Sequence, residues 1–147
     1  MYLIDKKQIL NLLDYMVKTE SSREEVFGLG GITGNLARER YVEVMISVVL
    51  DVGHMLIDGF LMRDAGSYED ILCILVDEKV IPKEDLPALV KLVSLRPELM
   101  RMYTELTEVK LQEVAEQSNE AISNFAGNVK AYLDQEASVA HAFGKKE

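Results

Sequence analysis

The sequence has few of the residues that build disulfides, zinc sites and β-sheets. It contains no tryptophan, one cysteine, two histidines and three prolines. A single cysteine excludes an intrachain disulfide, and neither His54 nor His141 has a cysteine at the spacing of a zinc site. We therefore predict no metal site and no cofactor. Cys73, inside the apolar run ILCILV, is interpreted as a small core residue.

Positive charge is also scarce. The chain has 16 basic and 25 acidic residues, which gives a net charge of −9. Binding to duplex DNA through bulk electrostatics needs many phosphate contacts, so this composition argues against it, although a small basic site remains compatible. The N-terminal sequence MYLIDKKQIL lacks the pattern of a secretory signal, and we expect a cytoplasmic protein.

The residues that are abundant favour helix. Leucine, valine, glutamate, lysine and methionine are frequent, and no segment alternates with period two for the length of a strand. A chain of 147 residues is of single-domain size. We predict an all-α, up-and-down bundle of four to five helices, with one domain over residues 1–135 and a flexible C-terminal tail over residues 136–147.

The segment Tyr41–Met62 is apolar on nearly all sides, which is typical of a helix in the centre of a domain. Its ionisable residues argue against a membrane span, because each would cost a few kcal/mol at bilayer depth. Five polar residues recur at intervals of 4, 4, 3 and 4, within a sector of about 80°. We call them the polar stripe: Glu43, Ser47, Asp51, His54 and Asp58. The stripe is either a seam exposed to solvent or one wall of a polar cleft inside the bundle.

Capping signals place the flanking helices. Asp5 with Gln8 and Ser67 with Asp70 have the spacing of capping boxes. The final helix is predicted over Thr104–Asp134.

A glycine-rich run, GLGGITG, precedes the central helix. No strand comes before it and no Lys-Ser or Lys-Thr pair closes it, so we interpret it as a flexible connection and not as a phosphate-binding loop. The central helix is then predicted to begin near Asn35, with Thr33 or Asn35 as its cap, and to end between Arg63 and Gly66.

The stretch LRPELMRMY carries the most distinctive chemistry. Pro97 predicts a kink or helix end at Arg96. Two guanidinium groups, on Arg96 and Arg101, and the phenol of Tyr103 then cluster near this break. Paired arginines are suited to binding a phosphate, whereas the alternative interpretation is two solvated arginines and an amphipathic tyrosine at a helix junction.

Between about Arg38 and Leu106 the order of short motifs resembles the HepT-like members of the HEPN superfamily, small helical proteins of prokaryotic toxin–antitoxin pairs. The motifs that carry the resemblance are Glu39-Arg40, Ser47-x-x-x-Asp51, Ser67-Tyr68, Val80-Ile81 and Arg96-x4-Arg101-x-Tyr103. Arg96, Tyr103 and Asp51 match the family's signature positions. Arg101 stands where the family has histidine, Pro97 where it usually has asparagine, and Ser47 where it has glutamate.

The resemblance implies a HEPN-like bundle and a metal-independent endoribonuclease whose site forms across a homodimer. In such an enzyme the RNA 2′-OH attacks the adjacent phosphate, an imidazole helps to move the proton, and arginine stabilises the charge on phosphorus. It makes Arg96, Arg101 and Asp51 the candidate catalytic residues, with Arg96 and Arg101 binding RNA or phosphate. Arginine stays protonated, so cleavage would need another proton acceptor: Asp51, Tyr103 or His54.

The resemblance also implies a partner. Family members pair with a nucleotidyltransferase antitoxin that attaches AMP to the signature tyrosine, here Tyr103. In the family the polar stripe faces the motif, which favours the cleft interpretation. Two alternatives to an active enzyme remain: a catalytically inactive helical dimer that binds RNA, nucleotide or protein, and a protein whose role is dimerisation alone.

Overall fold

The computed structural model describes residues 4–143, with side chains described for residues 4–137. Within that range the chain forms eight α-helices and one 3-10 turn, Lys83–Asp85, without a strand, so the predicted all-α class is confirmed. The helices are α1 Lys6–Glu20, α2 Arg23–Gly28, α3 Gly31–Gly59, α4 Tyr68–Asp77, α5 Leu86–Val93, α6 Arg96–Met100, α7 Glu108–Gln117 and α8 Asn119–Phe143. No helix in the described range is long and apolar enough to cross a membrane.

Helix α3 is the centre of the bundle, as its apolar composition predicts. It packs against α1, α2, α4, α5, α6 and α7. Val42, Val49 and Leu56, on its inner faces, are completely buried. Packing on several sides leaves one strip of the helix free, and this strip is where the polar residues lie.

The start of α3 differs from the prediction because the glycine run belongs to the helix and to the turn before it. Gly31 has φ of +64°, a conformation that suits glycine, and the helix begins there and not near Asn35. Gly34 lies so close to the Leu29 carbonyl that a β-carbon would overlap it. Within the run, residues 28–33 are exposed and Gly34 is the buried position at the junction between α2 and α3.

A buried arginine fixes this junction. The Arg38 side chain donates to the carbonyl of Leu29 at 2.7 Å, to Oδ1 of Asn35 at 2.8 Å and to Oε1 of Glu108 at 2.8 Å. Because Glu108 is the first residue of α7, one guanidinium joins three elements.

The end of α3 also falls earlier than predicted, at Gly59. The Met62 amide donates to the Ile57 carbonyl at 2.9 Å and Leu61 has φ of 55°, the geometry of a Schellman cap. The cap position is usually glycine, and here it is leucine.

The predicted final helix is two helices. The buried Ser118 hydroxyl donates to the carbonyls of Val114 at 2.9 Å and Ala115 at 3.1 Å, and α7 ends beside it. Helix α8 then continues to Phe143, past the predicted end at Asp134. The division into a domain and a tail after residue 135 remains a prediction, and residues 144–147 lie outside the described range.

Both capping predictions at helix starts are confirmed. The Gln8 amide donates to Oδ1 of Asp5 at 2.9 Å, and the Asp70 amide donates to Oγ of Ser67 at 3.0 Å.

Candidate functional site

The polar stripe of α3 is exposed to solvent. Ser47, Asp51, His54 and Asp58 are exposed, and Glu43 is half-buried. The expectation of a cleft enclosed within the bundle is therefore wrong for the single chain, because the other helices pack on the opposite faces of α3. The stripe is a seam, and two depressions open along it.

The first depression brings Arg96 to the stripe. Pro97 occupies the first turn of α6, and α6 starts at Arg96, so the predicted break is confirmed. This break turns the chain so that Arg96 meets the middle of α3. We call the depression the Arg96 groove; its lining residues are Glu43, Ile46, Ser47, Arg96, Leu99 and Met100.

The second depression lies further along α3, has a volume of about 420 Å³, and is open to solvent. We call it the Tyr68 groove; its lining residues are His54, Ala65, Gly66, Ser67, Tyr68 and Ile71. The Arg96 guanidinium carbon lies 5.1 Å from the centre of the Tyr68 ring, in cation–π contact. This contact joins the two grooves.

The start of α4, which carries Tyr68, is held by a set of polar contacts. Arg63 donates from both terminal nitrogens to the Asp70 carboxylate, at 2.8 and 2.9 Å, and the Gly66 amide donates to the same carboxylate at 2.9 Å. The hydrogen bonds from Arg63, followed by that from Gly66, lower the pKa of Asp70 to about 2. The Ser94 hydroxyl, two residues before Arg96, donates to the Val90 carbonyl at 2.7 Å and lies 3.3 Å from Oε2 of Glu69.

Arg101 and Tyr103 lie outside both grooves. Arg101 is the C-cap of α6, and Tyr103 follows in an exposed turn with 60% of its side chain accessible. Within the described residues, neither forms a hydrogen bond or ion pair with Asp51. An ion pair of 2.5 Å between Glu98 and Lys110 links α6 to α7.

The candidate proton acceptors differ in their positions. Asp51 lies on the stripe about one turn from both Ser47 and His54, between the two grooves. His54 lines the Tyr68 groove, and it is the histidine whose side chain the structure describes. Tyr103 is separated from both.

Two groove residues were named from the sequence without a role in the site, Glu43 in the stripe and Tyr68 in a short motif. Glu43 lines the Arg96 groove while its carboxylate accepts a hydrogen bond from Arg40 at 3.1 Å. Tyr68 belongs to a short motif in the sequence. Its contact with Arg96 joins two residues that are 28 positions apart, and no sequence pattern predicts that they meet. The stripe itself was a signal for Glu43, because its position on the same face as Ser47 is readable from the periodicity.

Neither depression has the features of a metal centre. In the range for which side chains are described, no group of three or more histidine, cysteine, aspartate or glutamate side chains could hold an ion. A separate cavity of about 350 Å³ between α2 and α7, lined in part by Arg23, Phe27 and Gln112, contains none of the predicted site residues.

Comparisons with known proteins agree on a family and on a fold. The model of the family described as "Ribonuclease HepT-like" matches residues 10–129. YutE of Bacillus subtilis strain 168, named as a candidate RNase, is 32% identical over 143 residues, which cover 97% of this chain and 99% of YutE. The solved structure of YutE, described as a cytosolic protein of unknown function, superposes with a TM-score of 0.84 over 92% of this chain and 95% of that one.

Two toxin–antitoxin crystal structures share the fold at lower identity. One contains AMP-PNP and gives a TM-score of 0.76; the other is a mutant MntA-HpeT complex and gives 0.71. Each match is 18% identical and covers 84% of this chain and 97% of the compared chain.

Proposed function

The chain belongs to the HepT-like ribonuclease family, and from this premise we propose that it is an endoribonuclease that cleaves RNA as a homodimer without a metal ion. The observation that carries the proposal is the position of Arg96, which lies against the exposed polar stripe and in contact with Tyr68. A guanidinium that meets the face of α3 carrying carboxylate and imidazole groups can stabilise the charge that develops in phosphoryl transfer, while groups on that face move the proton. We expect the reaction to take place in the cytoplasm.

The proposed reaction is a transesterification within the RNA strand. The 2′-oxygen forms a bond to the adjacent phosphorus while the bond from phosphorus to the 5′-oxygen of the next nucleotide breaks. One group removes the proton from the 2′-OH, and the departing 5′-oxygen gains a proton. Arg96 and Arg101 stabilise the negative charge on the phosphate oxygens.

We assign removal of the proton to His54, with Asp51 beside it on the stripe. The imidazole changes its charge near neutral pH, whereas the Arg101 guanidinium in the family's histidine position does not. His54 also lines a groove in contact with Arg96 through Tyr68. Asp51 follows Ser47 and precedes His54 on the same face of α3.

The proposed homodimer explains why apolar residues of the motif are exposed in the single chain. Met100, Met102 and Tyr103 each leave more than 40% of their side chains accessible in one chain, which is unusual for large apolar groups this close together. A second copy that packs there would cover them and would bring its own Arg101 toward the partner's groove.

The same exposure supports regulation by a nucleotidyltransferase antitoxin. The phenol of Tyr103 is accessible, so an enzyme that transfers AMP can reach it. An adenylyl group there adds negative charge beside Arg101 and would compete with the RNA phosphate.

A second function, RNA binding without cleavage, is favoured by Arg101, which stands where the motif would carry an imidazole. Arg96 and Arg101 can hold a phosphate, but neither can accept a proton. An inactive dimer that binds RNA or nucleotide would need no proton acceptor in the motif.

The deciding experiment is cleavage of a labelled single-stranded RNA in EDTA by the wild type and by Arg96→Ala, His54→Gln and Lys18→Ala. Lys18 is an exposed cation on α1 and lines neither groove, so its variant controls for loss of charge. The proposal expects cleavage by the wild type and by Lys18→Ala, and a loss of roughly 100-fold or more in the other two. RNA binding with no cleavage by the wild type would identify the binding function instead.

A further inference from the structure

The Tyr68 groove supplies His54 to the proposed reaction, and the rest of its lining has no role there. We infer that Tyr68 is a stacking platform for one unpaired RNA base, placed beside the phosphate that Arg96 holds. The inference rests on the proposed function, and it names the substrate class as single-stranded RNA that is contacted through a base as well as through its backbone.

The Tyr68 ring has the exposure that stacking requires. The side chain is 47% accessible although it is at the first position of a helix packed on α3 and α5. Arg96 contacts the ring and would place a phosphate next to it, and arginine with an aromatic ring is a common base-stacking pair in RNA recognition.

The surroundings of the ring leave room for a base. Ala65 and Gly66 are small, and a β-carbon at Gly66 would approach only the Asp70 carboxylate, at 3.7 Å. His54 closes the α3 side of the groove with a ring that can donate or accept a hydrogen bond at a base edge. These are the contacts that a flipped or unpaired base uses, and a stacked duplex does not present them.

The two grooves are suitably spaced along α3. Ser47 in the Arg96 groove and His54 in the Tyr68 groove are seven residues apart, which is about 10 Å along the helix axis. A short unpaired segment spans that distance with a phosphate at Arg96 and a base at Tyr68. The clamp of Arg63 on Asp70 holds α4 in place before RNA arrives, so binding costs little conformational entropy.

A tryptophan reporter tests the contact directly, because the natural chain has no tryptophan. Tyr68→Trp keeps a stacking ring, and Tyr15→Trp on α1, where the tyrosine is 49% accessible, is the matched control. We would titrate each with a 2′-O-methyl oligoadenylate of about 12 nucleotides in EDTA, long enough to exceed the site of a single binding module, and then with the same strand in a duplex. The expected result is that the single strand alone quenches the fluorescence of the Tyr68→Trp protein, while the Tyr15→Trp protein shows no quenching.

Affinity measurements separate this inference from the proposed function. Tyr68→Leu should weaken binding of the single strand about tenfold, and Tyr68→Phe should stay within about twofold of the wild type. Thermal unfolding of each variant checks that the fold is kept.

If the wild type binds RNA and Arg96→Ala abolishes binding while Tyr68→Leu leaves it unchanged, the stacking site is refuted and the proposed function stands. If the wild type binds no RNA, both fail. A Tyr68→Leu protein that loses its dimer and keeps its RNA affinity would also refute the stacking site and would assign the ring to contact between copies.

Discussion

At the scale of single residues, the exchange of histidine for arginine separates two tasks that the family's motif combines. Arg96 and Arg101 carry fixed charge at any ordinary pH and can hold a phosphate, but neither can accept a proton. In the proposed reaction, proton transfer must then come from another element. The polar stripe of α3 carries Asp51, one turn after Ser47 of the Arg96 groove, and His54, which lines the Tyr68 groove.

We predict that Glu43 lowers the affinity of the Arg96 groove for a phosphate. Its carboxylate lines the groove with Arg96 and pairs with the exposed Arg40. Glu43→Gln removes a negative charge near the expected phosphate and releases Arg40, so we predict that RNA affinity rises about three- to tenfold at low salt, with a smaller gain at high salt. Fluorescence anisotropy with the 2′-O-methyl strand measures this change.

The control for Glu43 is Glu136→Gln, which removes an equal charge on α8, a helix that lines neither groove. An equal gain in both variants would mean that total charge, and not the groove, determines the affinity.

At the scale of elements, two helices end with a non-glycine residue in the left-handed conformation. Leu61 follows α3 with φ of 55°, and Lys79 follows α4 with φ of 62°. In each case the amide of the next residue, Met62 or Val80, donates back into the last turn. The end at Leu61 begins the loop that carries Arg63 and leads to the start of α4, whereas the end at Lys79 closes α4.

Leu61→Gly should stabilise the protein. The leucine side chain is 78% accessible and loses little packing, while its φ costs about 1–2 kcal/mol in an L-residue. After the larger backbone entropy of glycine in the unfolded chain is subtracted, we predict a gain of about 1 kcal/mol in the free energy of unfolding. Urea unfolding measures it, with Leu61→Ala, which keeps the β-carbon, expected to show no gain.

The Arg63–Asp70 clamp should make stability depend on pH in the acid range. The pKa of Asp70 is lowered from 3.8 to about 2, so its contribution is complete above the unfolded pKa and is lost as the pH falls through that window. We predict that the wild-type Tm falls between about pH 4 and pH 2, and that Asp70→Asn reduces the part of this fall due to the clamp. Asp64→Asn, in the same loop, should behave like the wild type; if it flattens the curve equally, the clamp is not the cause.

The sequence predicts helix starts where a side chain caps the helix, at Asp5 and Ser67, but not the start of α3 at Gly31. Asp5 and Ser67 are local signals, since the capping oxygen and the amide it accepts from are three residues apart. The end of α3 is not a local signal, because Leu61 takes a conformation for which its residue type is a poor indicator. The break at Ser118 was missed for a similar reason: serine is tolerated inside helices, and only the structure shows its hydroxyl bonded to the preceding turn.

The candidate site was likewise predicted in part, with some features evident in the sequence and others only in the structure. Pro97 predicts the break that positions Arg96, and periodicity predicts the stripe. The meeting of Arg96 with Tyr68 depends on how α4 and α6 pack on α3, which no pattern within either segment encodes.

At the scale of the whole molecule, the net charge of −9 limits how RNA can bind. Most of the surface repels a polyanion, so the backbone must be held at a few fixed points and any further affinity must come from contacts that carry no charge. The Arg96 groove and the Tyr68 ring fit this division, one for a phosphate and one for a base.

The salt dependence of RNA binding measures how many phosphates the protein contacts. A single strand gives a slope of log affinity against log salt of about −0.7 per phosphate contact. Arg96 and Arg101 from both copies of the proposed dimer make four contacts, so we predict a slope of about −2.8, falling to about −1.4 in Arg101→Ala. Sedimentation should give about twice the chain mass of 16.6 kDa under the same conditions. A wild-type slope near about −1.4 with a dimer present would mean that one copy alone contacts the strand, and an unchanged slope in Arg101→Ala would remove Arg101 from the site.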